Sequence, residues 1–332
     1  MKKKRIASLL LLAPLALLGA CSTTPTTALE ANWFSSTSMK IIPDDFEETL
    51  VYDVSFTQSS SAKNGRFKMN YPNGGTYTVT FSSGATEDGR KTYVYKTELK
   101  MQVEYILNGI SSGPIDDVVT TYVEFLDSSN ALKPLKSQRE VHSSAPVVTP
   151  ASPASTLSKC YVTMDYKAAI SYNHDKDQAR YSFINLASNA TEANFESKTI
   201  KLKGKGLFFD NEQLIPLLRA ADLSSNMVLR TIDPTTNTLE KIAIKDGPTG
   251  TTVTQSIKRN TDQETEPETI KATEISIAYN KRNSGGTHKF TLAKRESRDN
   301  NKWRNVCLKY EYPVIYSHGT MTYRLVSANF YK

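Results

Sequence analysis

The side chains best suited to chemistry in this 332-residue chain are four histidines, His142, His174, His288 and His318, and three cysteines, Cys21, Cys160 and Cys307. A zinc site needs ligands that converge, commonly as an i, i+4 pair or a short Cys/His cluster. These histidines are scattered singly, with no cysteine near them in the chain, so no metal site is expected. His174-Asp175-Lys176-Asp177 lacks the glycine and the ligand count of a calcium loop and reads as a polar hairpin tip. Ser60-Ser61-Ala62-Lys63 has the spacing of a serine nucleophile and its lysine base, but that chemistry needs a helix start and partner motifs. The segment is expected in a loop after a strand, and no Ser-Asp-Asn or Lys-Thr-Gly follows. Gly204-Lys205-Gly206 lacks the rest of a phosphate loop and reads as a strand break or bulge. Asp44-Asp45 and Glu47-Glu48 are sequence neighbours, which an extended chain points to opposite faces, so neither pair makes a cooperating dyad. No catalytic constellation emerges and no cofactor is implied, so an enzyme is not expected.

Cys21 is different. Lys2, Lys3, Lys4 and Arg5 precede an apolar run from Ile6 to Leu18, broken only by Ser8 and Pro14. Basic residues hold the N-terminus on the cytoplasmic side while the run enters the bilayer, and small residues follow it, as in an export signal. Leu18-Gly19-Ala20-Cys21 resembles the lipobox of bacterial lipoproteins. That resemblance implies cleavage before Cys21, a diacylglyceryl thioether on its sulfur and often acylation of the new amine, with palmitate as the acyl group to label. Two or more acyl chains anchor stably where one does not. Ser22 stands where Asp is the usual inner-membrane retention signal, so the resemblance implies a lipid-anchored outer-membrane protein of the cell envelope. Whether it faces the periplasm or the outside stays open.

Cleavage would divide the chain into a signal peptide (1–20), a lipidated cysteine and tether (21–45) and a single β domain (46–332). Residues 22–30 are small, polar and interrupted by Pro25, a composition that cannot bury enough surface to fold. The signal carries four of the positive charges, so the formal charge falls from +7 to about +3 on its removal. This modest balance and the compartment argue against nucleic-acid binding. Cys160 and Cys307 remain, and an oxidising envelope makes a disulfide between them one expectation. Two buried thiols are the other.

The elements expected to carry these residues are mainly strands. Leu50, Tyr52, Val54 and Phe56 alternate with polar residues, and Tyr77, Val79 and Phe81 repeat the pattern after a turn at Asn73-Gly74-Gly75. Tyr93, Tyr95, Leu99, Met101, Val103 and Tyr105 share a face over thirteen residues, a span of about 44 Å that implies a strongly curved sheet. Val162 to Tyr172 alternates likewise, with Cys160 in the same phase. Residues 145–155 hold three prolines and read as a loop within one domain. Ile275 to Tyr279, Phe290 with Leu292, and Met321 to Leu325 complete the strands, and Asp262 to Glu268 reads as a solvated loop. One helix stands out: Asp210 caps, Gln213 sits in capping-box position, and Leu214, Leu217, Leu218 and Ala221 make an apolar face, weakened by Pro216. A hairpin from Met227, turning at residues 233–237 and returning through Ile242 and Ile244, follows it.

That helix, Asp210-Asn211-Glu212 … Leu217-Leu218-Arg219, with its hairpin and its setting among long antiparallel strands, resembles the β-clam proteins of the periplasm. These half-barrel folds include the LolA and LolB lipoprotein carriers and uncharacterised relatives with a similar Asp-x-x-x-Leu … Leu-Arg helix. The resemblance covers roughly residues 207–245. It implies a large curved antiparallel sheet with one or two short helices around an apolar hollow that accepts acyl chains, with no catalytic residues. The same alternation would also suit a packed core.

One charged strip adds a second expectation. Between Lys281 and Lys309 nine basic residues stand against Glu296 and Asp299, with Trp303 among them. Lys294, Arg295, Arg298, Lys302 and Arg304 could bind anionic headgroups or an acidic envelope partner, or could simply line a solvated hairpin. The expected function is therefore a membrane-anchored binding module for an acyl chain or other apolar ligand. The alternative is a structural lipoprotein docking through the strip.

Overall fold

The computed structural model describes residues 47–126, 132–187, 196–202, 208–220, 227–233, 238–260, 266–279, 287–294, 303 and 305–330. The lipobox, the Gly204-Lys205-Gly206 segment and most of the basic strip, including Arg295, Arg298, Lys302 and Arg304, lie outside them.

Seventeen strands form one sheet among the described residues. The N-terminal series comprises β1 (Glu47–Gln58), β2 (Phe67–Asn70), β3 (Gly75–Ala85), β4 (Lys91–Leu107), β5 (Ile110–Leu126), β6 (Pro134–Pro146), β7 (Tyr161–Asn173), β8 (Gln178–Asn185) and β9 (Glu196–Lys201). The C-terminal series comprises β10 (Phe208–Asp210), β11 (Met227–Asp233), β12 (Thr238–Gln255), β13 (Lys258–Arg259), β14 (Glu268–Tyr279), β15 (His288–Ala293), β16 (Cys307–Val314) and β17 (Gly319–Phe330). Helix α1 (Ser60–Asn64) follows β1, and a 3-10 turn (Asn211–Gln213) runs into α2 (Leu214–Ala220).

The registers give the order. β1 pairs with β3 on one side and β17 on the other, antiparallel in both cases. From β3 the sheet continues through β4, β5, β6, β7 and β8 to β9. From β17 it continues through β16, β15, β14, β12 and β11 to β10. Among the described residues only β10–β11 and β13–β17 pair in parallel, and each spans two or three residues.

The alternation places the core. Leu50, Tyr52, Val54, Val79, Phe81, Tyr93, Tyr95, Val103 and Tyr105 are all buried on the inner face. β4 and β5 have 17 residues each, about 58 Å if straight, so the sheet must twist and coil. They turn through Asn108-Gly109, both at positive φ (51° and 85°), the left-handed pair a two-residue hairpin requires. Curvature brings the far strands together: Ile232 of β11 packs in one cluster with Ala168, Ile170, Tyr172, Tyr181 and Ile200 of β7, β8 and β9. The sheet is a strongly curved, barrel-like shell.

Several expectations need correction. Ser60 and Lys63 lie on α1, capped by Ser59, whose side chain accepts from the Ala62 amide, so that segment opens a helix after all. Both side chains are exposed on a five-residue helix. Strand β6 runs two residues into the proline-rich segment, with Ala145 and Pro146 paired to Val162 and Tyr161. The rest of that loop is pinned to the domain, since Val148 O accepts from His318 Nε2 at 2.7 Å and Pro150 O accepts from the Phe67 amide at 3.4 Å. Cys160 and Cys307 are buried free thiols, not a disulfide. Each is turned towards a carbonyl of its own segment, Cys160 to Thr156 O at 3.4 Å and Cys307 to Lys309 O at 3.2 Å. Val162, expected inward, is exposed, because the inner phase of β7 becomes fully buried only from Ala168 onward.

Candidate functional site

The 3-10 turn and α2 lie inside the curve of the sheet, and polar anchors hold them there. Asp210 caps the turn: its Oδ1 accepts from the Glu212 amide at 2.8 Å. Its Oδ2 accepts from Ser137 Oγ of β6 at 2.5 Å and from the Tyr172 hydroxyl of β7 at 2.6 Å. Burial and the nearby Glu212 charge raise the Asp210 carboxyl to about 6. Gln213 closes the capping box and donates to Leu132 O at 2.6 Å. Glu212 accepts from Arg139 of β6 at 3.1 Å.

At the other end of α2, Arg219 meets Glu48 of β1 through two bonds of 2.5 and 3.0 Å, with both side chains at 1% exposure or less. Its guanidinium lies 6.0 Å from the Phe81 ring centroid, and a cation here suits the negative helix C-terminus. Leu217 and Leu218 are buried beside it. The Asp210 … Leu217-Leu218-Arg219 pattern is thus the set of contacts that seats a helix inside a shell. Glu47 is exposed and Glu48 buried, as an extended chain places neighbours, and Glu48 finds its cationic partner 171 residues away.

Between this turn and the sheet lies a cavity of about 410 Å³, within the range of small-ligand pockets. Its walls come from β2 to β7, from β15 to β17, and from Asn211 to Ile215 of the internal turn and helix. Leu99, Met69, Val119, Leu214, Ile215 and Phe290 supply apolar surface. Seven tyrosines also line it: Tyr71, Tyr77, Tyr95, Tyr166, Tyr310, Tyr312 and Tyr323. Desolvation pushes the Tyr77 and Tyr312 hydroxyls up to about 12, so they are neutral donors. Polar groups interrupt the wall at Arg139, Glu212, Asp117, Ser143 and His288. His288 Nδ1 lies 3.0 Å from the Tyr310 hydroxyl. A larger and more open depression of about 600 Å³ lies between Tyr122, Lys136 and Arg180. Lys136 there is already paired with Glu124 at 2.9 Å, and Lys136, Ser171 and Arg180 are exposed, so the inner cavity is the better candidate.

Of the five anion-binding cations expected from sequence, Lys294 is exposed, and Arg295, Arg298, Lys302 and Arg304 lie outside the described residues. Trp303, also in that strip, is buried and lies under the Arg259 guanidinium at 5.7 Å. Among the described residues no group of three or more His, Cys, Asp or Glu is placed to hold a metal ion. No helix among them is long and apolar enough to cross a membrane. The cavity groups Asp117, Arg139 and Ser143 were not foreseen. Their strands carry polar residues inward and show no apolar alternation where the site is built.

Shell and hollow together define a mainly-β class, a large antiparallel sheet curved around a cavity with a helix seated inside. No family model matches the chain, and no curated protein matches it. Among solved structures it is similar to a crystal structure from Brucella abortus, a beta-barrel-like protein of domain of unknown function DUF1849. The two are 10% identical, with a TM-score of 0.43, over 86% of this chain and 98% of that chain.

Proposed function

We propose that the protein is a lipid-anchored envelope binding module, related in design to the β-clam carriers, that holds a ligand with an aliphatic body. The observation behind this reading is the 410 Å³ cavity, walled by tyrosine, leucine, methionine and phenylalanine and flanked by the seated helix. A packed core would close such a hollow, since interiors rarely leave voids much larger than a water molecule. Burial of aliphatic surface supplies about 25 cal/mol per Å², which is ample for a long-chain ligand. The polar rim gives orientation, as in other small-molecule sites. The lipobox-like Cys21 supplies the proposed membrane address.

The test uses the chain from Ser22 onward, which contains every described residue and whose first and last strands pair with each other. Native mass spectrometry of the freshly purified protein should show an apolar adduct. Leu99→Trp, which fills the cavity, should remove it while leaving the circular dichroism unchanged. If the wild type carries no adduct and takes up none from added long-chain amphiphiles, the binding reading fails.

A further inference from the structure

Among the described residues that line the cavity, Asp117 is a carboxyl with no opposite charge beside it. It lies on the inner face of β5, opposite Met101 of β4, and is 7% exposed. Its Oδ1 has no hydrogen-bond partner. Ser143, across on β6, bonds the carboxyl and favours its charged form, but burial dominates and raises it above the ordinary carboxylate value. The other lining charges cancel, because Arg139 is spent on Glu212 at 3.1 Å. The Asp117 charge is felt by the hydroxyls of Tyr71, Tyr105 and Tyr312, which places these rings around the same end of the hollow. Tyr71 and Tyr312 line the cavity there, and Tyr105, fully buried, backs them.

A carboxylate left unpaired in a desolvated pocket costs free energy that a bound cation recovers. Aromatic rings beside it are the partners that organic ammonium groups favour. An anionic head would instead set two carboxylates together in a poorly solvated space, where neither is well tolerated.

We propose that the cavity takes a single-chain aliphatic ammonium ligand, with its cationic head between Asp117 and the rings of Tyr71 and Tyr312 and its chain against Leu99, Leu214 and Phe290. This rests on the cavity being a binding site, as argued above. A free amine and a zwitterionic lipid head both carry such an ammonium, but the lipid head brings a phosphate that would share the end of the cavity with Asp117, so the free amine is favoured.

Isothermal titration at neutral pH, below micellar concentrations, compares decylammonium, decanol, decanoate and decylphosphocholine on the chain from Ser22 onward. Decylammonium should bind at least about tenfold more tightly than decanoate, a difference of about 1.4 kcal/mol, with decanol between them. Asp117→Asn should weaken decylammonium about tenfold and leave decanol within about twofold, and Tyr312→Leu should act in the same direction should the first variant fold poorly. Decylphosphocholine binding more weakly than decylammonium supports the free amine, and tighter binding overturns that choice of source. Decanoate or decanol matching decylammonium on the wild type, or Asp117→Asn leaving decylammonium unaffected, overturns the proposal. Binding by none of the four overturns the cavity reading itself, a result distinct from loss of the preference.

Discussion

Asp210 concentrates the energetics of the site in one carboxyl. It accepts three hydrogen bonds, from Ser137, Tyr172 and the Glu212 amide, yet burial and Glu212 hold it at about 6 instead of its ordinary 3.8. The folded protein therefore binds a proton that the unfolded chain has already lost between about pH 4 and pH 6. Its contribution to stability is fully present below the unfolded value and is lost as pH rises through the folded one. At about 1.4 kcal/mol per pKa unit the loss is on the order of 2–3 kcal/mol. Asp210→Asn cannot titrate and escapes it. Urea unfolding of both proteins at pH 4, 5, 6 and 7 should show the wild type losing ground to the variant as pH rises. A difference that stays flat across this window refutes the assigned perturbation of Asp210.

At the scale of elements, the helix is held by its ends more than by its own propensity. The buried Glu48–Arg219 pair joins it to the first strand. Breaking such a pair from one side leaves a charge without compensation, at a cost of about 3–5 kcal/mol. Arg219→Leu should therefore lower the urea midpoint sharply, and Glu48→Leu/Arg219→Leu should recover most of the loss. A single variant as stable as the wild type would mean that α2 is not anchored there. The helix was legible because Asp210, Gln213 and the Leu217-Leu218 step are local signals, and the capping box formed as expected. Strands β1, β3, β4 and β17 were legible because their inner faces are apolar. β6 was not: its inward residues include Ser137, Arg139 and Ser143, so the polar lining of the site removed the periodicity that announces a strand. The first half of β5 was obscured by Gly113-Pro114 and by Ile110, which is exposed. The partnership of Glu48 with Arg219 spans 171 residues, and no local pattern encodes it. Asn108-Gly109, by contrast, is a local hairpin signal at the β4–β5 turn that a reading by apolar alternation passes over.

At the scale of the molecule, the first and last strands lie side by side, so the chain enters the shell at a seam that β1 and β17 close. The 25 residues between Cys21 and Glu47 set the reach of any anchor on that cysteine. Fully extended they span at most about 90 Å, enough for the shell to stand clear of a bilayer surface without leaving it. The proposed anchor depends on the Cys21 thiol, which lies outside the described residues. Cys21→Ala should leave the shell unchanged but accumulate as an uncleaved precursor that incorporates no radioactive palmitate. The wild type in a Gram-negative host should label with palmitate, partition into the detergent phase and fractionate with the outer membrane, because at least two acyl chains hold it where one would not. Ser22→Asp should move it to the inner membrane, and inhibition of the lipoprotein signal peptidase should reproduce the larger precursor. Recovery of the wild type as a soluble, palmitate-free protein would remove the anchor from the proposal and leave only the cavity to explain.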